Sequence, residues 1–319
     1  MRPNRVNCSS IVALIFLLYT GQANALTINT TFDSTVTGAG NPNAASWVSA
    51  WNYAVGEFQS TYSDPITINI KFQGGGGLGG SNTNLQFIGG ANNYAAMRAA
   101  LIADATTAND ATATSIANMP VADPTGGRLF IASFANAKAL GLRPANDPAL
   151  DGTITLGLGH TYTYDPNNRA VAGAYDFIGV VEHEMSEVMG RIGILGQTLG
   201  TGSALDDALD LFGFNSTGVR NLNQNQPAVY FSINNGVTHQ RVYNDHSNGG
   251  DDKDWESFIQ GADSFNAFGA TGVQEDMSSF ADRASLDVIG YNLVPEPSTY
   301  VLLAFGAMGL LMARRAKRA

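Results

Sequence analysis

The rhythm of apolar positions changes several times along the chain, and each change marks an element. Residues 11–19 form an apolar stretch behind Arg2 and Arg5 and ahead of Ala23, Asn24 and Ala25. That is the order of a secretory signal with a small-x-small cleavage site before Leu26, and the run is too short to span a bilayer comfortably. Residues 26–32 alternate as a strand does. Residues 43–62 carry Trp47, Trp51, Val55 and Phe58 at three- and four-residue spacing, which predicts a helix ended by Pro65. Ile66, Ile68, Ile70 and Phe72 then alternate with polar residues, the period of a strand with one buried face. The glycine-rich residues 74–80 lack a Gly-Lys-Ser/Thr ending, so they read as a mobile β-turn rather than a phosphate cradle. A second helix is expected over 94–103, a polar stretch over 104–125, strands over 128–134 and 153–158, a short helix over 136–142 and a buried strand or turn over 209–212. Mixed elements without an internal repeat predict one α+β body over residues 26–293, with a loop-rich C-terminal part.

The segment from Asp176 to Arg191 carries the chemistry. At about 100° per residue, with His183 at zero, Glu187 falls near 40° and Gly190 near 340°, so the three share one face. Ile178, Val181, Met185, Val188, Met189 and Ile192 share the opposite face, a core-facing stripe. His183 and Glu187, one turn apart, can grip one ion, and Glu184 beside them can handle a proton. The competing reading is a solvated salt-bridge helix. Against it stands the crowding of Glu182, Glu184 and Glu187 around His183 with only Arg191 as counter-charge, a repulsion that a divalent cation would relieve.

This helix resembles the His-Glu-x-x-His helix of zincin metalloproteases, with Glu187 in place of the second histidine. Gly190 matches the glycine of the metzincin version, and Gly193 stands where that version has its third ligand. The body is similar to zincin-type proteases in which a His-Glu-x-x-Glu-x-x-Gly-Arg helix follows a Tyr-Asp-Phe-Ile-Gly stretch. The resemblance implies a zincin-like fold with a mixed sheet and an active-site helix. It also implies zinc as cofactor, with calcium as an alternative, and hydrolysis of a peptide or protein substrate with Glu184 as general base. The third ligand is expected from residues 243–255: His246 is the best nitrogen donor, and Asp251 or Asp254 would make an oxygen-rich set. A carboxylate-rich set would make the ion a weaker Lewis acid. His239, after Asn235 and Gly236, reads as a hairpin surface residue, and His160 as a polar residue at a strand end. Met277, ahead of residues 284–291, is similar to the methionine of the metzincin turn beneath the metal; core filling is the alternative.

Charge narrows the class. Of 17 basic residues, six (Arg2, Arg5, Arg314, Arg315, Lys317 and Arg318) lie at the ends, so 27 acidic residues face 11 basic ones between them. Nucleic acid is not an expected partner of such a surface. The single cysteine, Cys8, falls within the expected signal of residues 1–25, so the exported chain would have neither disulfides nor thiolate chemistry. Residues 294–319 run from Pro295, Glu296 and Pro297 through an apolar stretch, interrupted by glycines, to a basic tail. Alone, the stretch is a short, marginal membrane-anchor helix with its basic tail on the cytoplasmic side. The three-part end resembles the PEP-CTERM sorting signal. That implies exosortase and the secretion machinery as partners, and placement at the membrane, surface or exopolysaccharide matrix of a biofilm-forming Gram-negative bacterium. The expected protein is thus a secreted or surface-associated zinc metallopeptidase. The alternative is a non-catalytic envelope or biofilm-matrix protein that keeps the fold with a structural cation.

Overall fold

The computed structural model describes residues 26–89, 93–224, 226–256 and 261–294. The expected signal and anchor lie outside them. Among the described residues no helix is long and apolar enough to cross a membrane.

The elements that place the site come in the order β1 (Thr27–Phe32), α1 (Ser34–Thr37), α2 (Ala44–Thr61), β2 (Thr67–Gly75), β3 (Gly79–Thr83), β4 (Leu85–Ile88), α3 (Asn93–Asp104), α4 (Ala108–Ala113), β5 (Leu129–Ser133), α5 (Phe134–Ala139) and β6 (Gly152–Gly157). After the short pair β7 (Tyr162–Thr163) and β8 (Tyr175–Asp176) comes α6 (Phe177–Val188). Short strands and loops follow, and α7 (Phe280–Asp287) closes the body. The fold is mixed α+β. Its main sheet has the order β1-β2-β6-β3, with β1, β2 and β6 parallel and β3 antiparallel along the edge.

The alternation in β2 does what its period requires: Ile68, Ile70 and Phe72 are buried. Phe72 meets α2 through Trp51 (centroids 4.2 Å apart, stacked) and Trp47 (5.7 Å). Phe177 joins the cluster 5.0 Å from Trp47, so the first residue of α6 is set in an aromatic core. Behind the sheet, the Lys138 ammonium lies 2.6 Å from Asp151 and 2.8 Å from the Thr67 carbonyl, while Asp151 also accepts the Asn69 N–H. Both side chains are fully buried, and the pair joins β2, α5 and the approach to β6. Removing either partner from such a pair typically costs about 3–5 kcal/mol.

The glycine-rich segment departs from the turn expected of it. Gly74 and Gly75 end β2 and Gly79 and Gly80 begin β3, leaving only residues 76–78 as the turn. The glycines serve close approach: a Cβ at Gly75 would lie 2.5 Å from Thr155, and one at Gly79 would lie 2.3 Å from Glu184 Oε1.

Candidate metal centre

Helix α6 begins after Asp176, whose carboxylate does not cap it. Oδ2 instead accepts from Arg169 Nε at 2.7 Å and from the Glu275 N–H at 3.0 Å, tying the helix start to a segment 99 residues later. Ile178, Val181, Met185, Val188 and Met189 of the apolar stripe are buried, and α6 packs on α2, β3 and β6; Ile192 lies past the helix end and is half-buried. At the other end Gly190 takes φ +118°, a conformation that L side chains rarely adopt. Its N–H bonds the Glu187 carbonyl at 2.9 Å and that of Arg191 bonds Ser186 at 3.0 Å, which turns the Arg191 side chain back beneath the helix.

The face shared by His183 and Glu187 looks into a cleft of about 470 Å³ between β3 and the segments around Asp254 and Ser264. His183 Nδ1 donates to the Ser264 carbonyl at 2.9 Å, a contact that fixes the ring and leaves Nε2 turned inward. Nε2 lies 3.3 Å from Glu187 Oε1 and 3.6 Å from Asp254 Oδ1. One donor atom from each of these three residues lies within 4.8 Å of the others, a cluster that could hold a metal ion. Glu187 Oε2 accepts from Ser81 Oγ of β3 at 2.7 Å.

The third donor comes from Asp254, and its loop is held residue by residue. Lys253 Nζ lies 2.6 Å from Asp210, the Asp254 carboxylate accepts from Arg191, and the buried Trp255 donates Nε1–H to Asp282 at 2.7 Å. Arg191 is itself buried, with Nε on Ser186 Oγ at 2.7 Å and its guanidinium 4.6 Å above the Phe265 ring. His246 does not join the cluster. Exposed on a short 3₁₀ turn, its ring is bonded to the Gly250 carbonyl at 2.8 Å, and it faces a neighbouring cavity with Gln197 and Asp252. Asp251 lines both cavities.

Two further expectations change. Glu182 is not among the groups crowding His183; its carboxylate accepts from Arg169 at 3.4 Å and from the Met277 N–H at 2.8 Å. Met277 is buried, gives its N–H to Glu182 and lines a separate cavity with Tyr53, Glu57 and Arg169. His160 packs its ring edge-on to Tyr175, 5.3 Å away, and stays outside the cluster. His239 precedes a hairpin strand, against Tyr230. Ser81, the Ser264 carbonyl and Glu275 carried no local signal, because nothing in their own neighbourhoods marks them as facing α6.

Electrostatics separate the two glutamates of the helix. Burial disfavours charge on His183, yet Asp254 and Glu187 outweigh it and raise its pKa to about 10. Glu187 is lowered to about 2 despite burial, through the hydrogen bond and charge of His183 and the charge of Arg191. Glu184 moves the other way: burial, then the Glu187 charge, push its pKa well above the ordinary value, and among the described residues its buried Oε2 has no hydrogen-bond partner. Burial likewise raises Glu275, on the same cleft, to about 7.

Comparison with known proteins bears on the end of the chain. Residues 293–318 match the PEP-CTERM protein-sorting motif. The motif indicates export and sorting to the envelope or surface of a Gram-negative bacterium, and implies processing by exosortase. No curated protein and no solved structure shows a significant likeness to the chain.

Proposed function

We propose that the exported body is a metallopeptidase of zincin-like construction, with an ion held by His183 Nε2, Glu187 and Asp254 and with Glu184 as the proton carrier. The observation that carries this reading is the convergence of three donor atoms within 4.8 Å beside the buried carboxylate of Glu184, one oxygen of which has no partner among the described residues. The donor set fits a divalent cation, and the imidazole favours zinc over calcium. Such an ion would polarise a scissile carbonyl and acidify a water beside it. Glu184 then takes the proton as the water oxygen bonds to the carbonyl carbon, and delivers it to the leaving nitrogen as the C–N bond breaks. A bound cation would draw the raised pKa of Glu184 back down, so that the group would start as the carboxylate that accepts the proton. The edge of β3, unpaired among the described residues, offers main-chain hydrogen bonds to a peptide in extended form.

One observation favours a second reading, a non-catalytic envelope or matrix protein. Arg191 already neutralises Asp254, and with His183 protonated and Glu184 neutral the charges in the cluster balance without an ion. Metal uptake separates the two. An ion and a proton compete for the same Nε2, so loading the apo protein at pH 7 is expected to release at least one proton, seen by calorimetry in buffers of different ionisation enthalpy. Cleavage of a casein-derived peptide should vanish with chelator and return with one equivalent of zinc. Failure of the protein to take up zinc, cobalt or manganese would leave the matrix reading.

The position of Glu184 can be tested through β3. Alanine at Gly79 would put a Cβ 2.3 Å from Glu184 Oε1 and 2.8 Å from Val180, so the flexible carboxylate end must move. Overpacking of this kind costs about 1–3 kcal/mol. Gly79→Ala is expected to remain folded and keep its ion while losing most peptide cleavage. A variant that cleaves like wild type would show that the carboxylate's place does not matter.

A further inference from the structure

The charge around the cleft exceeds what an ion and a general base account for. Its wall carries Glu184, Glu187, Asp251, Asp254 and Glu275, and among its described lining residues there is no lysine or arginine. Glu187 and Asp254 already face Arg191, whereas Asp251 and Glu275 take part in no ion pair among the described residues. Glu275 differs from the helix carboxylates in reaching the cleft from a distant segment that packs on α6 at Gly179. Its backbone and Cβ press on Gly179, where an added Cβ would come within 2.6 Å of the Glu275 carbonyl. Gly179 precedes His183 by four residues, about 6 Å along the helix axis. Only 4% of Glu275 is exposed, and that remainder faces the cleft.

Its carboxylate is half satisfied. Oε1 accepts the Ala270 N–H at 3.0 Å, and among the described residues none donates to Oε2. Space in front of Oε2 is kept by Gly269: a Cβ there would lie 3.4 Å from Oε2 and 2.9 Å from Leu78 Cδ2. Leu78, Val180 and Phe268 supply apolar wall on the same cleft. A polar end behind apolar walls suits a side chain with an aliphatic stem and a cationic head.

We propose that Glu275 makes this cleft selective for substrates that place a lysine or arginine side chain beside the scissile bond. The substrate part of this inference rests on the metallopeptidase reading; the cation-binding part does not. Oppositely charged walls also raise the local concentration of a cationic ligand, an effect that fades with salt.

The test uses the purified, zinc-loaded full chain and a pair of peptides that differ by lysine or glutamine at one position next to the cleaved bond. The lysine peptide is expected to be favoured by about 30-fold in kcat/KM. In Glu275→Gln that ratio should fall toward one. It should fall also in Gly269→Ala, which keeps the Glu275 side chain and sets a methyl 3.4 Å from its Oε2, so the inference stays testable if the first variant folds poorly. Cleavage without a lysine preference, or with a preference that survives both variants, would overturn the inference and leave the peptidase reading intact. If no peptide is cleaved, the peptidase reading falls and n-propylguanidinium decides the rest. Calorimetric binding that weakens at least tenfold in the variants supports the cation site, and equal or absent binding overturns it.

Discussion

Replacing Glu184 by glutamine is expected to lower the turnover of a peptide substrate by about a thousandfold, the middle of the range for losing a positioned general acid–base. The change keeps the shape of the side chain and removes its ability to take a proton. Glu184 lies against Gly79 of β3 and, among the described residues, has one oxygen without a partner, so a neutral amide fits the same space. Burial and Glu187 already hold the group toward its neutral form, and the variant should therefore fold with unchanged or slightly higher stability. Bound zinc should stay at one equivalent by elemental analysis. Equal cleavage by Glu184→Gln and wild type would remove Glu184 from the reaction.

The second large effect separates Asp254 from His246. Asparagine at 254 can still accept the Arg191 hydrogen bond, which matters because stripping a buried arginine of its partner would cost several kcal/mol on its own. The amide is a poor ligand for a divalent ion. Affinity for zinc, measured by competition with a chromogenic chelator, is expected to fall by more than the roughly 10–100-fold that losing an outer partner of a ligand costs. His246→Ala, on an exposed turn, should bind zinc as wild type does. The reverse pattern would return His246 to the site and demand a rearranged loop.

Much of this centre was open to reading in one dimension because an α-helix is a local structure. The three- and four-residue spacing of Ile178, Val181, Met185 and Val188 determines which side is buried, and so which side presents His183 with Glu187. The alternation of β2 needed no more than a period of two. The order of Pro295, Glu296 and Pro297, apolar run and basic tail sufficed for the sorting motif. Reading stopped where a contact joined distant parts. Glu182, Glu184 and Glu187 all flank His183 in the sequence, and a helical wheel does not name the partner of any of them. One faces Arg169, one lies against Gly79 and one meets His183 and Ser81.

The sequence by itself determined an exported chain, an α+β body and a helix that offers an imidazole and a carboxylate on one side, since targeting segments and helical periodicity depend on neighbours within a few residues. Only the tertiary structure decided that Asp254 and not His246 completes the cluster, that Met277 belongs to Glu182, and that Glu275 stands at the wall of the cleft. Those choices follow from Arg191, Trp255 and Lys253 finding buried partners far along the chain, and the cost of leaving such groups unpaired governs where the loops come to rest.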